Sequence, residues 1–333
     1  MGSVALVVAG FAVAGAYAAL GSGSAVGSLP LRPTPSVVAA SCLLGASLIV
    51  LLWAIRGTGD PTTGSTDVPV TAALLLPSAF LLLAAITPHY FDSIAREDGV
   101  VEWVGAVATA CACLWLVMAS RRVDRGLAGL LLVAASVLFV LTGEELSWLQ
   151  RIGQFGTPDV LASNQQGEAN LHNLATDRIQ ALYYLATSAA LVVVPYLARW
   201  TGWVPSRFHL LVPGPSVVVL AATSTAFSYG RTGNVVHHLT LWTATGVLLW
   251  WSRQARPVWL ACVLLVVFGQ ALLWAVGPDL LRPWAPDEYR EMLLGVALAV
   301  WAWEVRNRAV VGVGPYGGVG RTVAIPRTER SER

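Results

Sequence analysis

Ten stretches of mostly apolar residues recur along this chain of 333 residues. A helix needs about 20 such residues to cross the hydrocarbon core of a bilayer, and each stretch comes close to that length. The stretches cover roughly 3–20, 36–55, 68–87, 100–119, 126–148, 179–198, 212–229, 235–252, 258–276 and 288–305. The pattern predicts an all-α, polytopic transmembrane bundle of about ten spans.

The charge content supports lipid as the main environment of this chain. Only 12% of the residues are charged and 56% are hydrophobic, whereas soluble domains carry about 25% charged residues. The net charge of +2 gives no reason to expect a nucleic-acid partner. The span at 212–229 is the weakest, because Pro213 and Pro215 lie near its start. The first span lacks the basic region of a signal sequence, which favours an uncleaved span.

The arginines set the expected orientation, because cytoplasmic loops carry the excess of positive charge. With both termini inside, 14 of the 21 basic residues fall on the inner side. Thirteen of the 19 acidic residues and four of the five histidines fall on the outer side. We therefore expect an N-in/C-in protein of the cell membrane whose polar chemistry lies outside. Residues 1–304 would form the transmembrane domain, with a long outer loop at 150–178, and 305–333 a disordered cytoplasmic tail.

Three outer helix ends carry candidate carboxylates. Glu102 shares a helical face with the small residues Ala106 and Thr109, which is typical of close helix packing in membranes. We therefore expect Glu102 to point into the bundle, with an interfacial position in headgroup water as the alternative. Two further acids, Glu288 and Glu291, lie three apart at the start of the last span, where the helix dipole also favours acidic residues.

Two adjacent glutamates, Glu144 and Glu145, end an apolar run in the stretch LTGEELSW. A helix that continued to Trp148 would place Glu144, Trp148 and Arg151 on one face and turn Glu145 about 100° away. A charge near lipid is costly unless it is paired or hydrated, so at least one of the two should face the interior. A structural alternative is an ion pair, either of Glu144 with Arg151 or of Glu145 with Arg178.

The outer loop and the eighth span add imidazole and amide groups. In NQQGEANLHN, Glu168 and His172 are four residues apart and would be neighbours on a helix. This pair could bind a divalent metal or orient an imidazole for acid–base chemistry. Asn170 and Asn173 supply amide donors for a substrate. Two adjacent histidines, His237 and His238, start the eighth span, and we expect at most one of them to be functional.

These groups together predict one polar site at the outer surface. So many carboxylates require arginines, protons or a cation for charge balance, and Arg151, Arg178, Arg231 and Arg290 could contribute. Carboxylate and imidazole ligands suit a divalent metal. The candidate metal ligands are Glu145, Glu168, His172 and Glu291.

The motifs EDGVVEW, GEELSWLQR, NQQGEANLHN and DEYRE resemble those of a family of bacterial multi-pass membrane proteins without an established activity. In that family the second motif reads Gly-Glu-Glu-x-Ser-Trp-Gly-Gln-Arg and the third ends in Asn-Leu-His-Asn. Leu149 stands here where the family has glycine. The resemblance covers roughly residues 90–178 and 286–304, and it implies a membrane protein rather than a particular reaction.

Three functions are compatible with these features. The first is an enzyme of the outer leaflet that acts on a lipid or lipid-linked substrate. In that enzyme Glu144 or Glu145 would be the base, Glu102 a further catalytic acid, His172 a proton shuttle, and Arg151 the headgroup ligand. The second is a non-catalytic scaffold or partner subunit whose charges form a rigid cap. The third is a carrier, which the outer position of the ionisable residues disfavours, since carriers place their sites near the midplane.

Overall fold

A computed structural model describes residues 67–96, 99–153, 156, 176–202, 204–229, 235–252 and 257–311 of this chain. These residues form helices and connecting turns, with no β-strand among them. Four helical segments are long and apolar enough to cross a membrane: Val100–Ser120, Arg125–Glu145, Arg178–Thr201 and Val258–Asp279. The all-helical architecture predicted from the sequence is confirmed for this part of the chain.

The helices follow the predicted apolar stretches closely. They are α1 (Asp67–Ile86), α2 (Pro88–Ile94), α3 (Val100–Ser120), α4 (Arg125–Glu145), α5 (Gln150–Gly153), α6 (Thr176–Ser188), α7 (Val194–Thr201), α8 (Pro215–Thr223), α9 (Val235–Ser252), α10 (Pro257–Val276) and α11 (Ala285–Val311). Short 3₁₀ turns cover Ser147–Leu149, Ser206–Leu211, Ser224–Phe227 and Gly277–Asp279. The predicted spans at 3–20 and 36–55 lie outside the described residues.

A π-helical turn, Ala189–Val193, joins α6 to α7. Pro195 follows it at the start of α7 and has no N–H to donate, so a regular helix would lose a hydrogen bond and meet a steric clash here. The wider π turn accommodates this break. Because the backbone stays helical on both sides, α6 and α7 form one continuous rod.

The predicted span at 212–229 is a short interrupted element. Its helix, α8, begins with Pro215 in the first turn and passes into the 3₁₀ turn Ser224–Phe227, and all residues from 217 to 227 are buried. Proline is well tolerated at a helix start, which explains where α8 begins. This region therefore lies inside the protein instead of crossing the membrane as a full-length helix of its own.

The last helix, α11, extends to Val311, past the boundary that the sequence predicted at Glu304. Glu304 accepts a hydrogen bond from the backbone N–H of Gly214 at 3.0 Å and pairs with Arg308 at 2.6 Å. Arg308 in turn donates to the carbonyl of Val212 at 2.7 Å. A carboxylate at a helix start satisfies N–H groups that lack a partner within the helix. This clamp ties the end of α11 to the start of α8.

A second clamp fixes the opposite end of α11. The carboxylate of Asp92, which is 1% exposed, accepts from the backbone N–H of Arg282 at 2.8 Å and from its guanidinium at 3.0 Å. The phenol of Tyr289 donates to the carbonyl of Phe91 at 2.8 Å. Both contacts hold α2, one against the start of α11 and the other against the turn just before it. Between the two clamps, α11 packs along α3, and α4 packs on α3 as well.

Candidate functional site

A cavity of about 20 Å³ lies where the start of α3, the end of α4, the middle of α6 and the start of α11 meet. Four carboxylates line it: Glu102 from α3, Glu145 from α4, and Glu288 and Glu291 from α11. Tyr183 from α6 completes the polar part of the lining. A space of this size holds roughly one water molecule or a single ion. Acids that are far apart in the sequence therefore surround one small volume.

Close packing of α3 on α11 brings these carboxylates together. A Cβ on Gly295 would lie 3.0 Å from the carbonyl oxygen of Gly105, and one on Gly105 would lie 3.2 Å from the Cα of Met292. Small residues at a helix crossing allow the backbones to approach each other. Thr109 belongs to this contact, as the small-residue face predicted. The two glycines that set the distance were not predicted.

The helix α4 ends at Glu145, three residues before the predicted end at 148. Ser147 and Trp148 adopt left-handed conformations, with φ of 45° and 54°, which interrupts the helical path between α4 and α5. Even so, the indole Nε1 of Trp148 donates to Oε1 of Glu144 at 2.9 Å. Glu144 and Trp148 were expected to share one face of a continuous helix, but here a turn brings them together. Glu145 lines the cavity, whereas Glu144 does not.

Glu291 is held in place by two side chains of α6. Its Oε1 accepts from Nε2 of Gln180 at 2.7 Å and from the phenol of Tyr184 at 2.9 Å. Gln180 and Tyr184 are four residues apart and so lie on one face of α6. Neither was predicted, although two polar groups at helical spacing in an apolar segment are a recognisable signal.

A buried cation lies next to the cavity. Arg290 is 1% exposed, its guanidinium carbon lies 3.8 Å from the ring centroid of Tyr184, and its Nη2 donates to Thr240 at 2.7 Å. Its Nε and Nη1 atoms have no hydrogen-bond partner in the described part of the chain. A guanidinium over an aromatic face is a favourable contact. Arg290 therefore supplies a positive charge one residue from Glu291, as the sequence allowed.

The predicted histidines of α9 lie outside the cavity lining. His237 is buried, and its ring meets the edge of Tyr184 with the centroids 5.4 Å apart. His238 is half-buried. His237 therefore packs against Tyr184, which in turn holds Glu291.

Several predicted site residues fall outside the described residues. These are Glu168, Asn170, His172, Asn173 and the side chain of Arg151. Within residues 67–96, 99–153, 176–202, 204–229, 235–252 and 257–311, no group of three or more His, Cys, Asp or Glu side chains is arranged to hold a metal ion. No ion pair between Glu145 and Arg178 is found there either, and Arg178 is exposed.

The cavity combines several carboxyl groups with one water-sized space. A carboxylate can accept a proton from water, and a neighbouring carboxylic acid can donate one. Like charges in one site repel each other, so the charge of the group has to be balanced by arginines, protons or a cation. The arrangement is therefore suited to acid–base chemistry.

No known protein-family model, curated protein or solved structure matches this chain.

Proposed function

We propose that this chain is a membrane enzyme that uses the glutamate cavity for acid–base chemistry on a lipid or lipid-linked substrate. The observation that carries the proposal is the meeting of Glu102, Glu145, Glu288 and Glu291 around one water-sized space. Acid–base catalysis requires a proton acceptor and a proton donor within reach of the same reacting group. Two or more carboxyl groups around a single water meet that requirement.

The contacts suggest separate roles for these acids. Glu291 accepts hydrogen bonds from two donors of α6. It would therefore orient the water and keep these two hydrogen bonds during the reaction. Glu145, at the end of its helix, would act as the base, with Glu102 or Glu288 as the second carboxyl group. Because the space accommodates only about one water, the reacting bond of a larger substrate would have to approach from outside the cavity.

The outer loop would complete this site. In the proposal, Arg151 binds an anionic headgroup, Asn170 and Asn173 bind polar parts of the substrate, and His172 moves protons. In a variant of the same mechanism, Glu145, Glu291, Glu168 and His172 would hold a divalent metal, which would supply activation of the water. Metal analysis of the protein purified in mild detergent distinguishes the two variants.

The proposed location is the outer side of the bacterial plasma membrane. The arginine distribution and the motif resemblance support an N-in/C-in chain of about ten spans that belongs to the bacterial multi-pass family. In this topology the cavity opens outward. Labelling of single cysteines at the exposed positions 96 and 122 with an impermeant reagent tests it, since only position 96 should react in intact cells.

A non-catalytic scaffold is the second candidate. The two clamps, Asp92 with Arg282 and Glu304 with Arg308, favour it because they show that this chain uses charged pairs to hold helices together. In a scaffold, the carboxylates of the cavity would have the same structural purpose. Their replacement would then lower stability without affecting any reaction.

The test of the enzyme is a screen of lipid and lipid-linked substrates with protein in nanodiscs. Glu145→Gln and Glu291→Gln should each lower turnover by roughly 100-fold or more, the usual contribution of a general acid or base. Asp279→Asn is the matched control, because Asp279 is an exposed acid at the end of the neighbouring 3₁₀ turn. Variants that lose thermal stability but keep full turnover, or a protein inert toward every lipid class, would instead support the scaffold.

A further inference from the structure

The two adjacent glutamates at the end of α4 have different surroundings. Glu145 lines the cavity. Glu144 is buried outside that lining, and one of its carboxylate oxygens accepts the indole N–H of Trp148 at 2.9 Å. Neighbouring residues of a helix point about 100° apart, so the two carboxylates cannot face the same space. The two carboxylates therefore occupy separate positions.

The turn after α4 requires backbone conformations that are unfavourable for the two residues that form it. Ser147 and Trp148 are both left-handed, and side chains with a Cβ rarely adopt this conformation. Two such residues in succession persist only where the surrounding contacts compensate for the strain. The indole of Trp148 provides these contacts, since it turns back over the helix that the chain has just left.

Gly143 makes room for that indole. A Cβ at position 143 would lie 2.8 Å from three carbon atoms of the Trp148 ring, closer than real Cβ contacts allow. One turn earlier, the ring of Phe139 meets the indole edge-on with the centroids 5.9 Å apart. Gly143, Glu144 and Trp148 thus form one unit, the Trp148 staple, in which the glycine provides space and the carboxylate accepts the hydrogen bond.

We infer that the Trp148 staple positions Glu145, and that Glu144 is a positioning residue and not a catalytic one. The staple ends α4 directly after Glu145 and fixes the rotation of that last turn, which directs the Glu145 carboxylate into the cavity. Glu144 acts through Trp148 and does not contact the substrate. The inference rests on the proposed function, because it assigns Glu145 the chemical role.

Substitutions of Glu144 separate the two properties of its carboxylate, the negative charge and the ability to accept a hydrogen bond. In Glu144→Gln the amide oxygen still accepts the indole N–H while the charge is lost, and in Glu144→Leu both are lost. Two measurements are made on the full chain in nanodiscs. The first is the ¹⁹F spectrum of 5-fluorotryptophan protein, in which Trp148→Phe identifies the Trp148 resonance. The second is modification of Glu145 by an apolar carbodiimide, mapped by mass spectrometry.

The staple predicts that Glu144→Gln resembles the wild type in both measurements. Glu144→Leu and Gly143→Ala should shift the Trp148 resonance and slow modification of Glu145 by about tenfold, the effect of losing one hydrogen bond. If Glu144→Gln slows modification as much as Glu144→Leu, the charge matters and the inference is wrong. It is equally wrong if the resonance shifts while modification of Glu145 is unchanged.

Failure of the proposed function gives a different result. In that case Glu145 of the wild-type protein resists the carbodiimide, or Glu145→Gln retains full turnover in the lipid screen. The ¹⁹F resonance still decides whether the staple exists, because it does not depend on the chemistry of Glu145. An unchanged Trp148 resonance in both Glu144→Leu and Gly143→Ala would overturn the staple itself.

Discussion

Replacing Gly295 by alanine tests the helix crossing that brings the carboxylates together. The new Cβ would lie 3.0 Å from the carbonyl oxygen of Gly105 and 3.4 Å from Cγ2 of Thr109. The first distance is shorter than ordinary contact, and its partner is backbone, which cannot rotate away. The helices α3 and α11 would have to separate by a few tenths of an ångström.

The expected free-energy change combines two opposing effects. Overpacking of a close contact costs about 1–3 kcal/mol, while alanine is favoured over glycine within a helix by about 1 kcal/mol. Gly295→Ala should therefore lower the free energy of unfolding by about 1 kcal/mol. Gly295→Val, which adds two more methyl groups without the helix preference of alanine, should lower it by about 3 kcal/mol.

A control glycine in the same protein should show the opposite change in stability when it is replaced by alanine. Gly129 lies in α4, and a Cβ added there would meet no atom within 4 Å, so Gly129→Ala should raise stability by up to about 1 kcal/mol. Reversible unfolding by sodium dodecyl sulfate in bicelles, followed by circular dichroism, measures all three variants. If Gly295→Ala proves as stable as Gly129→Ala, the crossing is not close and this explanation of the site is refuted.

Two further substitutions test the contacts around α11. Glu304→Ala leaves Arg308 without its carboxylate and removes the acceptor at the start of α8, and it should cost about 3 kcal/mol in the same unfolding assay. The double variant with Arg308→Ala should cost less than the sum of the single changes, and strict additivity would contradict the clamp. Tyr184→Phe removes a donor to Glu291 and should cost about 1–2 kcal/mol. Tyr196→Phe, on α7, should change stability by less than about 0.5 kcal/mol, and equal effects of the two would argue against a specific role of Tyr184.

The helices were predictable because their length and apolarity are local properties of the sequence. Segments such as 100–119 and 258–276 match α3 and α10 within about one residue at each end. The prediction was less accurate at 212–229, where an apolar run became a short, buried and interrupted helix. Hydropathy does not distinguish a residue that faces lipid from one that faces protein, and this difference decides whether a full span is needed.

The sequence predicted the carboxylates of the cavity but not the turn and the side-chain contacts around them. Topology places the starts of α3 and α11 and the end of α4 on one side, so carboxylates at those positions meet. The turn at Ser147 and Trp148 has no glycine at its left-handed positions, and so no local signal predicts it. The contacts of Arg290 with Tyr184 and Thr240 depend on three helices that are distant in sequence, which single-helix patterns do not reveal.

The cavity differs from the two clamps of the same protein in its balance of charges. In each clamp one carboxylate meets one arginine, at 3.0 Å for Asp92 and 2.6 Å for Glu304. In the described part of the chain, Glu145, Glu288 and Glu291 form no such ion pair, although they line one cavity. Arg290 is the nearby buried cation, and a single positive charge does not offset several carboxylates. The remaining charge has to be balanced by protons, a cation or arginines outside the described residues, and balance by protons is what the proposed acid–base chemistry requires.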